Sequence, residues 1–280
     1  MSKKFAVLGS PIQHSKSPAI HLAAYRVLGT DWEYGRAEVM RGGLRKFIDE
    51  LEPGWNGFSL TMPLKEDATR FADELDNSAA LTGSTNTLYL TEFGKWIGFN
   101  TDVFGIISSL SQAGIGPVKH GLILGSGSTA ISAATALSIH SPGARVAIFA
   151  RNEHTAKKLA EFAKERGLKA RVVKNLAAAS RAAEVTISAL PARALDEQAQ
   201  RLATRRFWKP GGALLDVAYN PWPSEIAKVW SAKGMQVISG IEMLIWQAVA
   251  QVRIFRTGDP SVELPNEIAV VEAMRIASEQ

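Results

Sequence analysis

Residues 122–130, Leu-Ile-Leu-Gly-Ser-Gly-Ser-Thr-Ala, restrict the fold more than any other stretch of the chain. An apolar strand runs into G-x-G-x-x-A and an alanine-rich helix-period segment follows, the context that makes a glycine triplet informative. Gly125 permits a tight turn, Gly127 lets backbone approach a pyrophosphate, and the small Ala130 lets the helix close on the strand. The helix N-terminus would present free N–H groups to the anion. Strand-like runs at 145–149, 170–173, 185–187 and 213–216 continue the alternation, so the block reads as a doubly wound parallel sheet in an α/β chain.

The second strand of that block indicates which dinucleotide. An NAD site would place Asp or Glu about 20 residues past the glycines to take the ribose hydroxyls. The chain instead has Ile148-Phe-Ala150-Arg151-Asn152, and an arginine there pairs with a 2′-phosphate that a carboxylate would repel. NADP is the expected cofactor, with Gly125, Ser126, Gly127, Ser128, Thr129, Ala150, Arg151 and Asn152 as its contacts.

Upstream, Phe5-Ala-Val-Leu8, the helix-spaced Ile20, Ala23, Ala24 and Val27, and Trp55–Leu60 show the same α/β alternation. A helix with Val103, Ile106, Ile107 and Leu110 inward ends at the glycines of Ala113-Gly-Ile-Gly-Pro117, the first boundary candidate. The last forty residues carry an amphipathic helix marked by Ile241, Leu244, Ile245, Ala248, Val249 and Val252, and another near 263–278, with no strand after them. Two helices alone leave apolar faces open, so they are expected to return to the first domain. The expected organisation is a substrate-binding domain over 1–114, a Rossmann-type NADP-binding domain over 115–239, and C-terminal helices over 240–280 that complete the first.

Composition narrows the chemistry. With no cysteine among 280 residues, disulfide scaffolds, thiol nucleophiles, thiolate zinc sites and iron–sulfur clusters are excluded. The net charge of +5 is scattered, which favours small anions over nucleic acid. No apolar run approaches the roughly 20 residues of a membrane span, and no signal-type leader is evident, so the expected setting is cytoplasmic, with a small-molecule partner and a monomer or homodimer. His21, His120, His140 and His154 lack metal spacing and read as surface or helix-end residues; no metal is expected, and Trp208, Trp222 and Trp230 read as core or interdomain packing.

Three segments concentrate polar residues where strands of the first domain should end. In Gly9-Ser-Pro-Ile-Gln-His14-Ser15-Lys16-Ser17-Pro18, one serine would suffice to cap a helix, and the pair Ser15 and Ser17 suits a carboxylate or polyol near that helix N-terminus. In Ser59-Leu-Thr61-Met-Pro63-Leu-Lys65-Glu66, Pro63 should start a helix with Lys65 in its first turn, where a cation opposes the helix dipole and a purely structural role is disfavoured. The third is Gly83-Ser-Thr85-Asn86-Thr87 with Asn100-Thr101-Asp102, in which a turn Asn and an N-cap Asp are the structural alternatives.

Taken in order with Asp216-Val217-Ala-Tyr219-Asn-Pro221 and Gly240-Ile-Glu-Met243-Leu-Ile-Trp-Gln247-Ala248, these motifs resemble the shikimate dehydrogenase family over essentially the whole length. The resemblance implies NADPH-dependent reduction of 3-dehydroshikimate in aromatic amino-acid biosynthesis, in a cleft between two domains that closes on ligand. It implies that Ser15 and Ser17 bind the substrate carboxylate, that Thr61 contacts the ring, and that Lys65 is the acid/base group. Asn86 and Asp102 would hold ring hydroxyls, Tyr219 and Gln247 would line the same pocket, and Val217, Gly240 and Met243 would lie near the nicotinamide. Lys65 and Asp102 together form the expected catalytic pair, the carboxylate orienting the ammonium.

The chain departs from the family pattern at Gly125-Ser-Gly127-Ser128-Thr129 in place of G-x-G-G-A, at Ala150-Arg151-Asn152 in place of N-R-T, and at Ser188-Ala-Leu-Pro191 in place of N-A-T-S. The competing readings are an NAD-dependent quinate/shikimate dehydrogenase and a non-catalytic dinucleotide-binding regulator, the latter having no need of both Lys65 and Asp102.

Overall fold

The computed structural model describes residues 3–279. The chain divides into two compact units, Met1–Gly105 with Leu244–Gln280, and Ile106–Met243. In chain order the first runs β1 (Lys4–Gly9), α1 (Ser17–Val27), β2 (Glu33–Glu38), α2 (Leu44–Asp49), β3 (Trp55–Leu60), α3 (Lys65–Phe71), β4 (Glu74–Leu75), α4 (Asn77–Thr82), β5 (Thr87–Leu90) and β6 (Trp96–Phe99), and α5 (Asp102–Gln112) leads out of it. Its sheet has the order β2-β1-β3-β5-β6-β4. The β1, β2 and β3 strands are parallel, whereas β5 runs antiparallel to both β3 and β6.

The second unit runs β7 (His120–Leu124), α6 (Ser128–His140), β8 (Arg145–Phe149), α7 (Glu153–Glu165), β9 (Lys169–Val172), α8 (Leu176–Ala182), β10 (Val185–Ser188), α9 (Asp196–Ala203), β11 (Ala213–Asp216), α10 (Glu225–Ala232) and β12 (Val237–Ser239). All its pairings are parallel in the order β12-β11-β10-β7-β8-β9, so the sheet is doubly wound and the strand order reverses between β7 and β10. Ligands of such sheets bind beyond the strand C-termini at that reversal. Here the reversal is where the Gly125 turn emerges.

Helix α11 (Gly240–Thr257) leads back into the first unit and α12 (Glu267–Ser278) ends it. A Cβ at Gly57 would stand 2.8 Å from the Phe255 ring, so glycine is what lets α11 lie this close to β3. Phe255 stacks on Phe5 of β1 at 4.3 Å between centroids, and on the other face Leu8, Phe58, Leu60, Leu64 and Leu88 form a second buried cluster. Helix α12 packs on α1, and Lys16 Nζ donates to the Ser278 carbonyl at 2.6 Å, a cation at a helix C-terminus where the dipole favours it. In the second unit, Trp208 and Trp230 meet edge to face at 5.4 Å within the core, whereas Trp222 is 39% exposed in the loop after β11 and is not a core residue.

His21 also departs from its expected surface position. It occupies the buried face of α1 with Ile20, Ala24 and Tyr25, stacks on Tyr34 at 3.9 Å, and satisfies Nδ1 on the Ser17 carbonyl at 2.9 Å. Burial lowers its pKa from 6.5 to about 4, against the opposing pull of the Ser17 bond. Below pH 6.5 the unfolded chain therefore takes up a proton that the native imidazole refuses until about pH 4. Stability should fall by roughly 3 kcal/mol across that window. Urea denaturation of the protein and of His21→Gln at stepped pH checks this: the variant should lose that part of the slope, and equal slopes would refute it.

Candidate active site

Lys65 is the first residue of α3, after the N-cap Leu64; the helix begins there rather than at Pro63. Its ammonium bonds the Asp102 carboxylate, and the two side chains are only 15% and 6% exposed. The Lys65 main chain is fixed by Thr85 N–H donating to its carbonyl at 3.1 Å. Asp102 is the first helical residue of α5, and its own N–H is taken by Asn100 Oδ1 at 3.0 Å. The carboxylate bonds side-chain partners.

Its second partner is Asn86, on the turn before β5, whose Nδ2 donates to Asp102 Oδ1 at 2.8 Å. The Asn86 amide cannot flip, because Oδ1 accepts the Thr101 N–H at 2.9 Å. Gln247 of α11 reaches the same cluster, with Oε1 3.4 Å from both Asn86 Nδ2 and Thr101 Oγ1 and its own Nε2 on the Leu244 carbonyl at 2.8 Å. Lys65, Asn86, Asp102 and Gln247 are therefore one cluster: a partly buried ion pair oriented by two amides, able to give or take a proton at Lys65 Nζ.

The serine turn precedes α1. Ser17 is the first helical residue and is buried, and Ser15 Oγ accepts the Ser17 N–H at 3.3 Å. Lys16 occupies the N-cap without a side-chain capping bond, so neither serine fills the N-cap position. Thr61 follows β3, its N–H on the Leu8 carbonyl at 2.9 Å and its methyl packed so closely on Gly9 that no Cβ fits there. Three polar residues to which the sequence assigned no role also belong to this neighbourhood: Thr101, which bonds both amides, and Ser59 and Gln251 beneath them. The available signal for Gln251 is its i+4 spacing from Gln247 on one face of α11.

The remaining predicted residues lie in the second unit, which ends at Met243 in the first turn of α11. Gly125 has φ +111°, and a Cβ would stand 3.0 Å from the Ala189 carbonyl, so both conformation and space demand glycine. Gly127 is the N-cap of α6 with no side-chain cap and open space where a Cβ would be, and Ala130 is fully buried beneath. An uncapped helix N-terminus behind an open glycine fits a pyrophosphate. Ser126 Oγ and Thr155 Oγ1 bond at 2.7 Å, joining the glycine turn to the first turn of α7. Ser128 and Thr129 open α6, Ala150 follows the last residue of β8, and Arg151 is exposed beside the Asn152 cap, whose Oδ1 accepts the His154 and Thr155 N–H groups. The Asn152 oxygen is already used by these two N–H groups.

At the end of β11, burial raises the Asp216 pKa, and the carboxylate accepts the Ser224 hydroxyl at 2.5 Å and the Ala218 N–H at 3.3 Å, tying down the loop that carries Tyr219. Tyr219 is half-buried with its phenol pKa raised by burial. A Cβ on Gly240 would strike the Val217 carbonyl, so this glycine lets the start of α11 meet the β11 end, and Met243 follows one turn on. Among the described residues there is no group of three metal-ligating side chains and no helix long and apolar enough to cross a membrane.

These features define a two-domain α/β protein with one Rossmann-type domain. The shikimate dehydrogenase substrate binding domain family matches residues 7–88. The chain is 32% identical over 274 residues to an NADP(+) shikimate dehydrogenase of Thermus thermophilus, covering 98% of each. Its fold is similar to the crystal structure of shikimate dehydrogenase from Mycobacterium tuberculosis, with a TM-score of 0.85, 40% identity and 99% of each chain covered. It is likewise similar to a Thermus thermophilus shikimate 5-dehydrogenase solved in complex with NADP(H) and shikimate, with a TM-score of 0.80, 30% identity, and 98% and 99% covered. The chain belongs to the shikimate dehydrogenase family.

Proposed function

We propose that this protein catalyses the reversible NADPH-dependent reduction of 3-dehydroshikimate to shikimate, a step of the shikimate pathway toward chorismate and the aromatic amino acids. The observation that carries the reading is the Lys65–Asp102 pair locked by Asn86 and Gln247, in a chain whose relative is solved with NADP(H) and shikimate. Residues 1–114 and 240–280 would bind substrate and 115–239 the cofactor. The chemistry NADPH supplies when bound is a hydride for the ring carbonyl carbon.

Lys65 Nζ gives its proton to the forming alkoxide oxygen and takes it back in the oxidation direction, while Asp102 keeps the ammonium aimed. Ser15 and Ser17 hold the substrate carboxylate, and Thr61, Asn86, Asp102, Tyr219 and Gln247 hold the ring. Gly125 to Thr129, Ala150, Arg151 and Asn152 would hold the pyrophosphate and 2′-phosphate, with Val217, Gly240 and Met243 beside the nicotinamide. Ser15→Ala or Ser17→Ala should raise the KM for shikimate by about 10-fold, with a smaller loss of kcat, because these groups bind ground and transition states alike. Steady-state kinetics check this, and a loss confined to kcat would argue against carboxylate anchoring.

The function itself is tested by initial rates of oxidation at 340 nm for shikimate and quinate, each with NADP and with NAD. Turnover of shikimate with NADP alone is expected. Turnover chiefly of quinate with NAD would overturn the role of Arg151, and none with any pair would overturn the reading.

A further inference from the structure

Beneath the ion pair lies a buried run of side chains that the proposed reaction does not use. Tyr34 Oη donates to Ser59 Oγ at 2.6 Å, Ser59 Oγ to Gln251 Oε1 at 2.9 Å, Gln251 Nε2 to Thr87 Oγ1 at 3.0 Å, and Thr87 Oγ1 to Asn86 Oδ1 at 2.9 Å. From Asn86 the run continues through Nδ2 to Asp102, which holds Lys65. Tyr34, Ser59, Thr87 and Gln251 are each at most 5% exposed.

The direction of every bond follows from one contact. Gln251 Nε2 also faces the Asn86 main-chain carbonyl at 3.3 Å, and a carbonyl can only accept. The Gln251 amide is thus fixed with its oxygen toward Ser59, so the Ser59 proton must point to Gln251 and the Tyr34 proton to Ser59. Thr87, accepting the Gln251 N–H, must donate its own hydroxyl to Asn86 Oδ1. All donors point toward Asp102, an arrangement in which successive bonds polarise one another. Gln251 therefore grips Asn86 twice, once through its main-chain carbonyl and once through the Thr87 hydroxyl.

We infer that Gln251 is a positioning residue for the acid/base pair, acting through Thr87 and Asn86 on Asp102 and thereby on the aim of Lys65. The inference rests on the reading of Lys65 and Asp102 as the proton-transfer pair. A group that acts on that aim should change kcat and leave the KM for NADP unmoved, whereas a merely structural glutamine would lower stability with kcat per folded enzyme unchanged.

The test is steady-state shikimate oxidation with NADP by the full chain, with denaturation midpoints, for Gln251→Met, Thr87→Val and the double variant. Both substitutions nearly conserve volume, and Thr87→Val keeps a β-branched residue in β5. Each single variant should lose about 10-fold in kcat, the worth of one buried hydrogen bond, with the KM for NADP within about 2-fold. Because both cut the Gln251–Thr87 bond, the double variant should lose less than the product of the two single losses. Unchanged kcat in either folded variant, or multiplicative losses in the double, would overturn the inference; if Gln251→Met does not fold, the kcat of Gln251→Leu decides in its place. A wild-type protein without shikimate turnover would instead remove the underlying functional reading.

Discussion

Replacing Lys65 by Met is expected to lower kcat for shikimate oxidation by about 10²–10⁴, with the folded structure retained by circular dichroism. The size follows from what is lost: Nζ is the one donor of the cluster that is both cationic and 15% open, while Asn86 and Gln247 spend their amides on neighbours. The fold survives because α3 is anchored by its backbone, with the Ala68 N–H on the Leu64 carbonyl at 2.8 Å, and by Ala68 buried against the sheet. Asp102 still accepts the hydrogen bond from Asn86 Nδ2. Turnover within about 3-fold of wild type would remove Lys65 from the mechanism.

Glu267→Gln should be strongly destabilising for so conservative a substitution. Arg253 is buried on α11 and makes a two-pronged pair with Glu267 of α12, at 2.8 Å from Nε and 2.5 Å from Nη2, with side-chain exposures of 8% and 17%. Its remaining contacts are the Pro260 carbonyl at 3.0 Å and the face of Phe104. An amide in place of the carboxylate leaves a guanidinium without its counter-charge, at a cost of about 3–5 kcal/mol. The double replacement Arg253→Met with Glu267→Leu should cost far less, since no charge is then stranded. Urea denaturation midpoints of the wild type and the two variants check this; equal losses in the single and double variants would show that packing rather than charge is at stake.

How much could be read from the chain depends on what each element buries. The strands of the doubly wound sheet are covered on both faces, so β7, β10 and β11 appear as short apolar runs between turn residues. The edge strand β2 reads Glu-Tyr-Gly-Arg-Ala-Glu with only Tyr34 buried, and no apolar run marks it. The β5–β6 hairpin is hidden differently: its start, Thr87, belongs to a polar turn whose buried hydroxyls serve Asn86, so the polarity that marks the site obscures the strand. Both α5 and α11 run through the divide between the units, where the chain carries only the single helical Gly105 and nothing at 243–244 to match the clustered glycines and proline at 114–117.

In the site, Lys65, Asn86 and Asp102 are legible because each stands at a turn or helix start, where a polar residue is exposed to argument by position. Gln251 is not, since Val249, Ala250 and Val252 surround it with core residues and only its partners reveal its use. His21 is similar: helix spacing places it with Ile20 and Ala24, and its burial becomes intelligible only with the Ser17 carbonyl and Tyr34 ring in place.

Lys65 and Asp102 move the proton as one unit in this mechanism, and a double-mutant cycle in single-turnover shikimate oxidation with NADP measures that coupling directly. Lys65→Met, Asp102→Asn and the double variant should all fall to nearly the same rate, because removing either member disables the other. Rates that multiply, with the double variant slower than each single by the other's full factor, would contradict a coupled pair.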